Sequence, residues 1–96
     1  MVSLLDDDLI KRCIDKWGFH EQLHQAMGEC GEFVAVAQNF YRAQKFGNKK
    51  TTIENFMEEV VDVAFLMQQM RHADPELFDR LIEIKKQKLL RKLEDK

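Results

Sequence analysis

A chain of 96 residues is long enough for one compact domain. Its formal net charge of −2 excludes the strongly basic balance of a dedicated nucleic-acid binder. Hydrophobic residues at 45% and charged ones at 33% are ordinary for a soluble helical protein, and no apolar run approaches the ~20 residues of a bilayer span.

In chain order, Ser3 with Asp6 three positions on resembles a helix start, followed by Leu9, Ile10, Cys13 and Ile14 at helical spacing. Without a basic stretch ahead of an apolar one, no signal peptide is expected and the protein is read as cytoplasmic. Trp17, Gly18 and Phe19 interrupt the first helix. A long second helix is expected from about Glu21 to Ala43, with a stripe through Leu23, Met27, Cys30, Phe33, Val34, Ala37, Phe40 and Tyr41 in steps of three and four. Cys13 and Cys30 lie at apolar helix positions without a zinc-ligand spacing, so they read as reduced core thiols.

Residues 44–51 are polar, glycine-containing and basic, and read as a loop. Thr51 and Glu54 form a T-x-x-E capping box for a third helix running to about Met70. Asp74 is the expected N-cap and Pro75 the first residue of a fourth helix carrying Leu77, Phe78, Leu81, Ile82, Ile84, Leu89, Leu90 and Leu93. No strand pattern or repeat occurs. The expectation is a single all-α domain over residues 1–96, a four-helix bundle-like protomer whose thin core favours self-association.

Two acidic pairs stand out. Asp62 lies in the apolar run from Val60 to Met67, three residues after Glu59; the second helix holds a matching pair, Glu29 and Glu32. Residues i and i+3 are neighbours on a helix surface, so each pair holds two like charges together. None of the four has Lys or Arg at i±3 or i±4, although the chain contains 15 such residues. A carboxylate among apolar neighbours is costly unless paired. A hard cation, Mg2+ or Mn2+, suits two such pairs on antiparallel helices, because it takes carboxylate oxygens and water and completes its shell with substrate phosphates. The competing reading is a solvated acidic edge with Asp62 paired to a lysine of the fourth helix. For Glu59 to face Glu29 and Glu32, the 44–51 loop must also run back several ångströms along the bundle, at ~1.5 Å of rise per helical residue.

Elsewhere, Lys85, Lys88, Arg91 and Lys92 lie along the last helix. They complement its macrodipole in the simplest reading, and Lys88 and Arg91 are the choice for phosphate contacts if the acids hold metal. Glu21-x-x-His24 has the spacing of a di-iron ligand pair but lacks the second copy such sites need. Trp17 could stack on a nucleobase or plug the core.

"QLHQAMGECGEFVAV", "IENFMEEVVDVAFLMQQM" and a terminal K-x-x-R-K-L together resemble the MazG-like nucleotide pyrophosphohydrolases, over about residues 17–93. These belong to the all-α NTP pyrophosphatase superfamily, which also contains dimeric dUTPases. Its E-x-x-E, spacer, E-x-x-D signature matches Glu29, Glu32, Glu59 and Asp62. The resemblance implies Mg2+-dependent hydrolysis of nucleoside triphosphates to monophosphate and pyrophosphate, a house-cleaning of nucleotides, by a homodimer or homotetramer with pockets near subunit interfaces. It implies that the four acids are metal ligands and catalytic, that Lys88 and Arg91 contact phosphates, and that Gln22 stands near the base or sugar; Trp17 joins the expected base or sugar site through its own capacity to stack. Many members carry a glutamate directly before the first motif; here that place is Gly28. A non-catalytic helical interaction module and a nucleotide sensor without turnover are the rival expectations.

Overall fold

The computed structural model describes residues 4–47 and 53–95. Among them are four α-helices, one 3-10 turn and no strand: α1 (Asp7–Trp17), α2 (Phe19–Phe46), α3 (Ile53–Met70), a turn over Arg71–Ala73, and α4 (Pro75–Glu94). No helix of the described residues is long and apolar enough to cross a membrane.

The caps explain most of the boundaries. Asp6 accepts a hydrogen bond from the Leu9 N–H at 2.8 Å, so α1 starts after Asp6. Ser3 lies outside the described residues. Gly18, at φ 86° and ψ 148°, ends α1 and precedes α2; its N–H returns to the Ile14 carbonyl while its own carbonyl accepts from Gln22. That backbone region is essentially closed to other residues. α2 runs further than its apolar stripe suggests, to Phe46, and stops at Gly47 in the left-handed conformation. Thr51 of the expected capping box lies outside the described residues. Asp74 accepts from the Leu77 N–H at 3.0 Å and Pro75 opens α4, as the sequence predicts.

α2 and α3 form the central antiparallel pair, with α1 packed against both. Two features set their register. Gln22, 6% exposed, donates its side-chain amide to Gln69 Oε1, 4% exposed, across 2.7 Å, and Gln69 donates in turn to the Phe65 carbonyl at 3.3 Å. Phe56 stacks on Phe40 with ring centres 4.5 Å apart and lies against Phe33. A third contact ties down the chain before α1: the Gln68 side chain accepts from the Leu5 N–H at 2.9 Å and donates to the Leu5 carbonyl at 2.6 Å, as a neighbouring strand would.

With Glu29 opposite Glu59, Phe46 lies 17 residues beyond the site and Ile53 only six before it. At ~1.5 Å per residue, α2 overhangs the start of α3 by roughly 16 Å. The sequence predicts a run-back of several ångströms; the offset is larger because α2 continues past Ala43 to Phe46.

α4 packs differently. It turns away at the 3-10 segment, where Arg71 holds Asp79 through two hydrogen bonds of 2.9 and 2.8 Å, and every described α4 residue is exposed. A bundle of four helices is therefore not closed within one chain. The radius of gyration is 16.4 Å, against about 12–13 Å for a compact chain of this length. The accessible surface is 7980 Å², roughly 2,000 Å² more than a compact monomer of this mass exposes.

Candidate metal centre

The acids of α2 and α3 converge because the two helices run antiparallel with Glu29 and Glu59 at the same level. One carboxylate oxygen each from Glu29, Glu59 and Asp62 lies within 4.8 Å of the others. Glu29 Oε2 and Glu59 Oε1 are buried and have no hydrogen-bond partner among the described residues. None of the ion pairs among the described residues involves these acids: Lys11 pairs with Asp15, Arg71 with Asp79 and Lys86 with Glu83.

The electrostatic consequence falls on Glu29. The Glu59 carboxyl against it, its own desolvation and the charge of Asp62 hold the Glu29 carboxyl above the usual glutamate range, while Glu32 acts in the opposite sense. At neutral pH, three carboxylates in this space repel one another. All three donors are hard oxygens, the type that Mg2+ and Mn2+ take. Two buried oxygens without donors are what a cation at this point would satisfy, so the residues fit the ion expected from the sequence.

Two details of that expectation change. Asp62 is exposed; the acids carrying buried oxygens are Glu29 and Glu59. The flanking residues Val60, Val63 and Ala64 are half-buried on neighbouring faces of α3, while Asp62 faces solvent. A lysine partner for Asp62 from α4 does not occur among the described residues. Glu32, also exposed, is not one of the converging three. It stands one turn further along α2, within electrostatic reach of Glu29.

Trp17 and Gln22 come together. They line a cleft of about 310 Å³ with Glu21, Gln25 and Leu66. Gln25 precedes Glu29 by four residues and Leu66 follows Asp62 by four, so two lining residues of the cleft stand one helical turn from the acids. Trp17 is 52% exposed with Lys16 Nζ 5.4 Å from its ring centre, which excludes a core plug. Gln22 is buried and committed through its amide nitrogen to Gln69, a structural role that sequence reasoning missed. Its signal was a second glutamine, Gln69, at an apolar-stripe position of α3. Cys13 and Cys30 are free and half-buried.

Lys88 and Arg91 are not brought to the acids within one chain. Both are exposed on α4, beyond the turn that directs this helix away from the α2–α3 pair. Comparison with protein-family models, curated proteins and solved structures found no match.

Proposed function

We propose that this protein is a Mg2+-dependent nucleoside triphosphate pyrophosphohydrolase, with Mn2+ as a substitute ion, that converts (d)NTP to (d)NMP and pyrophosphate in nucleotide house-cleaning. The observation that carries the reading is the meeting of Glu29, Glu59 and Asp62 with two buried oxygens lacking any partner. The resemblance of the ordered E-x-x-E and E-x-x-D motifs to MazG-like enzymes supports the same choice.

Glu29, Glu59 and Asp62 would hold the cation. A divalent ion held there would supply charge neutralisation of the triphosphate and polarisation of the scissile phosphoryl group. The remaining work is positioning and charge. Glu32, exposed one turn from Glu29 and outside the converging three, would accept the proton of the attacking water. The base and sugar occupy the cleft under Trp17, where the indole offers a stacking face and Glu21 and Gln25 offer polar groups. Lys88 and Arg91 reach the phosphates from the α4 of a neighbouring copy in a homodimer or homotetramer. The unpacked α4 and the large exposed surface support that assembly.

The test is pyrophosphate release from a panel of NTPs and dNTPs with Mg2+. Release is expected from the wild-type chain and not from Glu59→Gln or Asp62→Asn; activity surviving both substitutions removes the site assignment. Nucleotide binding without release identifies a sensor instead.

A further inference from the structure

We infer that α4 is a dimerisation helix that pairs antiparallel with α4 of a second copy. Its apolar stripe, Phe78, Leu81, Ile82 and Leu89 with the stem of Lys85, lines an open groove of about 500 Å³ with almost no polar surface. Phe78, Leu81, Ile82 and Leu89 are between 39% and 57% exposed, and Leu93 beyond them is 73% exposed. Among the described residues, α4 meets mainly the 3-10 turn and its apolar stripe stays exposed; such a 20-residue helix is stable in water only if something covers it.

Two observations select a second copy as the cover. The first is area. The chain exposes roughly 2,000 Å² more than a compact monomer of its mass, an amount of the order that each partner of an obligate dimer buries.

The second is charge. The first half of α4 carries Glu76, Asp79 and Glu83 against Arg80 alone. The second half carries Lys85, Lys86, Lys88, Arg91 and Lys92 against Glu94. A parallel pair would lay one basic half along the other. An antiparallel pair lays each acidic half along a basic one, and its two-fold symmetry makes one surface serve both copies. Because α4 leaves the body at its N-terminal end, this pairing also carries each basic half back beside the other copy's body. The pairing itself stands independently of any metal or nucleotide.

The test uses the full chain. Sedimentation equilibrium is expected to give a mass of an even number of chains, and Leu81→Asp with Leu89→Asp is expected to halve it, with helical circular dichroism falling by no more than the share of the 20-residue α4. Leu81→Ala with Leu89→Ala keeps strong helix formers and is expected to weaken association by at least about a hundredfold. A wild-type monomer, or an assembly indifferent to both pairs of substitutions, overturns the proposal. Orientation is read by spin labels at Glu76→Cys in a Cys13→Ala, Cys30→Ala background. Antiparallel pairing centred near Lys85 separates the two labelled backbones by about 29 Å, whereas parallel pairing brings them to about 10 Å and overturns it.

Discussion

Gln22 and Gln69 meet across the α2–α3 interface at 2.7 Å, two amides that are the buried polar residues among those described. Each oxygen or nitrogen left alone at this point would be a buried group without water. Gln69→Leu is therefore expected to destabilise the protein by about 1–3 kcal/mol, since it strands the Gln22 amide. Gln22→Leu with Gln69→Leu together should cost less than the single change, because both partners leave at once. Urea denaturation of the two variants checks the order.

The Glu29 carboxyl holds its proton to higher pH in the folded protein than in the unfolded chain. Between those two values the native state binds more protons, so stability falls as pH rises through the window. Melting temperatures of metal-free protein from about pH 4 to pH 8 are expected to show this decline just above the usual carboxylate range. Glu29→Gln should flatten it. Mg2+ should raise stability on the high-pH side, by about 2.7 kcal/mol at a hundred times its dissociation constant; no gain with Mg2+ would remove the metal reading.

Glu32 should separate from the other three acids. It lies outside the converging oxygens, so Glu32→Gln is expected to keep the Mg2+-dependent rise in melting temperature. It should lower kcat by about a hundredfold or more, the scale of a lost proton acceptor. Glu29→Gln, Glu59→Gln and Asp62→Asn are expected to lose the Mg2+ response as well as turnover. Thermal melts beside kinetics distinguish the two classes.

Gly18 joins α1 to α2 at φ 86° and ψ 148° with open space around its Cα. A side chain there meets no neighbour, so the cost is backbone strain alone. Gly18→Ala is expected to destabilise by about 1–3 kcal/mol, measurable by chemical denaturation.

Arg71 grips Asp79 with both nitrogens at the corner where α4 leaves the body, and this holds the Asp79 carboxyl below the usual carboxylate range. Its contribution is complete above the unfolded-state value and is lost as pH falls through the folded one. The pair is exposed, so Asp79→Asn should barely change the melting temperature. Faster tryptic cleavage after Arg71 in that variant is the expected sign that the corner has loosened.

Local chemistry made much of this protein legible in advance. Asp74 and Pro75 announce α4, Gly18 separates α1 from α2, and the apolar steps of three and four mark the helices, because caps and periodicity act within a few residues. The spacing of Glu29 with Glu32 and of Glu59 with Asp62, and the absence of basic neighbours, were likewise visible in the chain. Depth was not. Asp62 looks buried beside Val61 and Val63, yet consecutive helical residues point about 100° apart, and only the packing of α2 against α3 decides which face is covered. The same holds for α4: its periodicity declares an apolar stripe but not what lies over it. Which three of four acids meet, that Gln22 is bound to Gln69, and that α4 stands clear of its own chain are decided by tertiary structure. Those outcomes depend on helix register and direction, which no interaction between near neighbours in sequence determines.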